Sequence, residues 1–317
     1  MKLRGIMSAV FDNSASAVGF SMIIYLFLSY TLSAVASFFT DRITEPAYSL
    51  TVLSIEAIVY ITVFTVTVFL MSISRVIVFT KPVPNQIAII LPVFFSCFLL
   101  SANINYFFAP FFSRLGIHGP PDLHYMPHSS LGILLYVILN TLVPAFFEEL
   151  LFRKVMLQRL AEYGNGTAVV ISSVIFALLH YDIPHLPTIF LIGIVFSYTT
   201  LKLRSIFPSM LMHFLYNFFA VLLSDFDDML TQDLLQVIFN IIVLAGIISS
   251  LLLTLYAGSL MAQGRFREAS GIKKESSDTE TLPASSLLKN PYIIIFTAAA
   301  VLLTVSLEFL PRLMQRS

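Results

Sequence analysis

Apolar runs of about twenty residues recur along almost the whole of this sequence, and they leave one class of fold open. A helix of that length and composition matches the roughly 30 Å hydrocarbon core of a bilayer. At such segment lengths, only helices satisfy their own backbone groups in lipid. The expected fold is therefore all-α, a polytopic membrane bundle. Nine spans are read: 17–39, 49–73, 86–112, 129–151, 167–181, 187–203, 206–224, 234–260 and 291–310. The fifth and sixth are short, and Pro184 and Pro187 break what would otherwise be one helix. A tight hairpin at Tyr181-Asp182-Ile183-Pro184-His185 is expected there. Composition agrees: 57% of residues are apolar and 11% charged, with a mean hydropathy of +0.88, whereas soluble chains carry about a quarter charged residues. The 18 basic and 18 acidic side chains cancel, so a nucleic-acid partner has no electrostatic support. The single cysteine, Cys97, lies inside an apolar run and is read as packing.

The distribution of Lys and Arg sets an orientation. With a cytosolic N-terminus, fourteen basic residues fall on the cytosolic side, among them Arg75, Lys81, Arg153, Lys154, Arg159, Lys202 and Arg204. Four fall outside: Arg42, Arg114, Arg312 and Arg316. Lys2 and Arg4 precede an apolar stretch containing Ala34-Val35-Ala36, which imitates a signal-peptidase site. The run is longer than a signal h-region, so the first helix is expected to be retained. Residues 262–289 form a long polar segment, rich in Ser and charge-balanced, expected to be a flexible cytosolic linker. The organisation read is three N-terminal spans over 1–128, a four-span core over 129–224, an eighth span over 225–261, the linker, and a final span over 290–317.

Ionisable groups inside spans are costly and mark function. Glu148 and Glu149 close the fourth span, just after Pro144; Glu149 and Arg153 are four apart and share a helix face. Glu148 points about 100° away, with no local partner. His180 lies late in the fifth span. His213 and Asn217, again four apart, put an imidazole and an amide on one face of the seventh. Glu56, in the second span, has no companion within a turn and is read as structural or accessory. Counting from a turn at Gly164-Asn165-Gly166, Glu148 and His180 each stand 16 residues away, about 24 Å along antiparallel helices. His213 reaches the same level if the charged stretch 153–162 projects about 12 Å into the cytosol.

Such a set suits hydrolysis by activated water. Glu148 with His180 can hold and deprotonate one water molecule, and His213 with Asn217 can donate to an oxyanion. No Ser or Cys nucleophile stands with them. Glu148, His180 and His213 would also make a two-His, one-carboxylate zinc site, although the compact His-Glu-x-x-His spacing is absent. A membrane binding, immunity or scaffold protein could hold the same cluster, as could a transporter, though the internal symmetry of transporter halves is not seen.

Glu148-Glu149-x-x-x-Arg153, Phe176-x-x-x-His180 and His213-x-x-x-Asn217, in this order, resemble the signature motifs of the CAAX protease and bacteriocin-processing (CPBP, or ABI) membrane peptidases, which include the type II CAAX prenyl endopeptidases. The resemblance covers about residues 129–224. It implies an intramembrane endopeptidase acting on membrane-associated peptides or proteins. Glu148 and His180 would activate water, His213 and Asn217 would hold the oxyanion, and Glu149, Arg153 and Phe176 would support them. Members are often labelled metalloproteases, but the glutamate mechanism implies no cofactor. A ninth helix after a long linker departs from the eight-helix prenyl endopeptidase pattern. The expected setting is a prokaryotic cell membrane, with the C-terminus external.

Overall fold

The computed structural model describes residues 10–40, 48–72, 84–119, 127, 129–226, 230–263 and 281–314, and all regular structure among them is helical. The elements are α1 (Ser14–Thr40), α2 (Tyr48–Ser72), α3 (Pro84–Arg114), α4 (Ser130–Tyr163), α5 (Asn165–Leu178), α6 (Leu186–Leu203), α7 (Phe207–Ser224), α8 (Gln232–Ala262), the short α9 (Ala284–Leu288) and α10 (Pro291–Met314). Seven of them are long and apolar enough to cross a membrane, and α5 and the Pro291–Leu307 part of α10 are shorter apolar helices. Each of the nine expected spans coincides with one of these helices. At 14 residues α5 is only about 21 Å long, short of the hydrocarbon thickness.

Helix α4 is not uniform. It passes through π turns at Ile138–Leu142 and Leu150–Met156, with an α-helical stretch, Val143–Glu149, between them. Pro144 lies just after the first, where its missing N–H removes one ordinary helical bond. The two acids therefore sit between two widened turns, a feature frequent at functional sites. Gly164, at φ 91°, makes the turn into α5 in the backbone region that glycine enters without strain.

The two larger of three apolar clusters among the described residues flank the candidate site. One joins α1, α2, the second half of α4, α5 and α10 through Met22, Phe64, Leu151, Met156, Phe176 and Phe296. The other joins α3, α6 and α7 through Ile90, Phe94, Cys97, Ile192, Phe196 and Met212, so Cys97 does pack in the interior. The candidate site lies where they meet, with α4 packed against α2, α5 and α7.

Two expectations change. The stretch 153–162 does not stand out as a charged projection. Arg153 and Arg159 are fully buried, and Lys154 is nearly so. Arg159 donates to the backbone carbonyls of Met71, at the end of α2, and Phe11, ahead of α1, satisfying its guanidinium inside the bundle. These side chains are thus internal ties rather than loop charges. The linker also folds at its end: α9 buries Leu287 completely, and Leu282 N–H donates to Glu162 O at 2.9 Å. The buried Leu287, near the end of an otherwise polar run, provides the reason. Residues 264–280 of the linker lie outside the described residues.

The last helix docks on the first. Asn290 caps the start of α10 through its Oδ1 and donates from Nδ2 to Ser16 at 3.0 Å. Gly19 allows the crossing: a Cβ there would stand 2.6 Å from the backbone N of Ile293 and C of Tyr292. Backbone atoms cannot swing aside as a side-chain tip can. Gly19→Val is therefore expected to lower the melting temperature in detergent, at a cost of roughly 1–3 kcal/mol. An unchanged melting temperature would show that α10 does not rest on α1.

Candidate active site

Glu149 and Arg153 share a face of α4 as their spacing requires, with Arg153 Nη1 3.1 Å from Glu149 Oε1 and both side chains buried. The pair sits among aromatic rings. The Arg153 guanidinium carbon lies 4.2 Å from the centre of the Phe176 ring and 5.5 Å from that of Phe196. Its Nε and Nη2 have no hydrogen-bond partner among the described residues. The ring faces therefore supply the remaining attraction for a desolvated cation. Phe176, expected only as a supporting residue, is in this way a wall of the ion pair. It also meets His180 edge-on at 4.7 Å and His213 edge-on at 6.0 Å.

His213 joins the two acids. Its Nδ1 lies 2.9 Å from Glu149 Oε1, and its Nε2 lies 3.8 Å from Glu148 Oε2. With the Glu149 carboxylate as acceptor, Nδ1 is the donor, and the ring is fixed with Nε2 turned toward Glu148. Glu149 consequently has two partners, Arg153 and His213. The sequence offers the first through spacing and has no local sign of the second, which is 64 residues away.

Glu148 is mostly buried, and its two oxygens differ. Oε1 accepts a 2.7 Å hydrogen bond from Tyr60 Oη on α2, while Oε2 is buried beside His213 with no hydrogen-bond partner among the described residues. Tyr60 was not singled out by sequence reasoning. A tyrosine inside an apolar span carries no motif, and its role exists only once α2 packs against α4. Glu56, one turn earlier on the same helix, is exposed.

His180 follows the end of α5 and is exposed, with Nδ1 2.7 Å from the Phe176 carbonyl oxygen. The carbonyl can only accept, so Nδ1 carries the proton and a neutral ring has its lone pair on Nε2. The next residue, Tyr181, takes a left-handed φ of 54° that ends the helix. The expected hairpin follows, with Asp182 accepting from His185 N–H and bonded to its ring. Asn217 is half-buried, one turn beyond His213 on α7. Glu148, Glu149, Arg153, Phe176 and His213 thus form one contact network, His180 adjoins it through Phe176, and Asn217 adjoins it along α7.

Residues 130–219 match the family described as type II CAAX prenyl endopeptidase Rce1-like. This stretch is therefore similar to the core of the CPBP family. The chain is also 32% identical over 91 residues to the Bacillus subtilis (strain 168) protein named "Putative membrane peptidase YdiL". That similarity covers 28% of this chain and 37% of the relative, so it spans little more than a third of the relative's length. No solved structure matches this chain. Among the described residues, no three His, Cys, Asp or Glu side chains gather as metal ligands.

Proposed function

We propose that this chain is an intramembrane endopeptidase that hydrolyses peptide bonds of membrane-associated peptides or proteins with water activated by Glu148. What supports this is the placement of Glu148 Oε2 3.8 Å from His213 Nε2, with Glu149 holding Nδ1 on the other side of the ring, in a stretch similar to the CPBP core. Glu148 Oε2 takes a proton as water attacks the scissile carbonyl carbon. His180, with its Nε2 lone pair, assists in orienting that water at the open side. The carbonyl becomes a tetrahedral oxyanion, which the protonated ring of His213 stabilises from Nε2, together with the Asn217 amide. Glu148 returns its proton to the leaving amine as the C–N bond breaks, giving one new carboxyl and one new amino terminus. Glu149 and Arg153 stay fixed throughout and keep His213 aimed.

No step uses a metal, and this separates the proposal from a zinc peptidase. Cleavage of a quenched-fluorescence peptide library by purified protein in detergent is expected to persist after prolonged chelation. Stoichiometric zinc, with loss of cleavage on chelation and zinc-specific rescue, would replace the glutamate mechanism with a metal-dependent one. The proposed setting is a prokaryotic cell membrane with a cytosolic N-terminus. The Lys and Arg count still favours that orientation, eleven to four, after the buried Arg153, Lys154 and Arg159 are set aside.

A further inference from the structure

We propose that Tyr60, on a helix outside the CPBP core, is the positioning residue that fixes the reactive carboxylate of Glu148; this rests on the hydrolase reading above. Tyr60 Oη donates to Glu148 Oε1 at 2.7 Å across 88 residues of chain. The phenol ring is held firmly. It stacks on Phe64, one turn along α2, with centroids 4.4 Å apart and planes 27° apart. It meets Phe147, the neighbour of Glu148, edge-on at 6.5 Å. Phe64 in turn meets Tyr25 of α1 edge-on at 5.3 Å. The hydroxyl is therefore placed by interlocked rings from three helices, not by a loop.

This arrangement divides the labour between the two oxygens of one carboxylate. With Oε1 tied to the phenol, rotation about the last side-chain torsion is checked, and Oε2 stays turned to His213 Nε2. An untied carboxylate would sample orientations in which neither oxygen faces the attacking water, and alignment of that kind governs rate. The charged and titratable groups around Glu148 are Tyr25 of α1, Tyr60 of α2, Glu149 and Arg153 of α4, and His213 of α7. A CPBP core taken by itself would lack the first two.

Tyr60→Phe isolates the hydroxyl, because the ring and its stacking remain. The full chain in detergent, assayed on the quenched peptide library across pH, should lose roughly 10-fold or more in plateau turnover, as removal of a hydrogen bond to a charged group does. The acid limb of the pH–rate profile should also move to higher pH. A donor to the ionised carboxylate favours the charged form, so without it a higher pH is needed to ionise the base. The midpoint of that limb does not depend on how much of the preparation is active, so a purely structural role would leave it in place. An unmoved acid limb overturns the inference, whatever the plateau rate. Glu148→Gln is measured alongside. If it is inactive while Tyr60→Phe keeps the wild-type limb, the positioning role alone is lost. If Glu148→Gln is fully active, the assignment of Glu148 as the water-activating base falls with it.

Discussion

Truncating Arg153 to Ala is expected to destabilise the fold by about 3–5 kcal/mol, the usual cost of removing one partner from a buried ion pair. Arg153 and Glu149 are buried together, so Ala leaves the Glu149 carboxylate inside the protein with His213 as its remaining partner. It also opens a space among the Phe152, Phe176 and Phe196 rings that now close around the guanidinium. Arg153→Lys should recover only part of this. An ammonium keeps the charge but loses the planar group that lies on the Phe176 ring. Thermal unfolding in detergent checks the series, with wild type highest, Lys intermediate and Ala lowest. A melting temperature unchanged in Arg153→Ala would mean that the pair and its aromatic box do not hold α4 in place. Activity should fall in the same order, because Glu149 aims His213 only while it is itself anchored.

Replacing Glu148 with Gln should separate chemistry from stability. The substitution keeps size and shape, and the new amide oxygen can still accept from Tyr60. It removes a carboxylate whose Oε2 is buried without a hydrogen-bond partner among the described residues, so the fold should be retained or slightly strengthened. The amide cannot take a proton from water. Turnover should therefore drop by at least the roughly 10²–10⁴-fold associated with a lost general base. Glu149→Gln is expected to behave differently, losing stability and activity together, because it weakens both Arg153 and His213. The contrast between adjacent acids follows from their partners: Glu149 holds two structural groups, while Glu148 offers one oxygen to the reaction.

Much of this was legible in the sequence where the cause is local. Apolar length identified the helices, Pro184 and Pro187 the hairpin, and the Gly164 turn the break between α4 and α5. The i, i+4 spacing alone pairs Glu149 with Arg153. Spacing failed where the partner lies far along the chain. Nothing near His213 signals Glu149, and nothing near Glu148 signals Tyr60. The charged stretch after Arg153 misled for a related reason. Positive charge at the end of a span usually marks a cytosolic loop, but here Arg153 is boxed by aromatic rings and Arg159 by backbone carbonyls, both supplied by other helices. Phe196 belongs to the same class, since one of thirty phenylalanines has no distinguishing context until α6 packs against α4.

Water activation by Glu148 is tested by one paired assay. Wild type and Glu148→Gln, purified in detergent and matched for melting temperature, are incubated with the quenched-fluorescence peptide library, and new termini are identified by mass spectrometry. The account predicts discrete cleavage products from the wild type and a loss of at least 10²-fold in their rate of appearance from Glu148→Gln. Equal cleavage by the two proteins would contradict it.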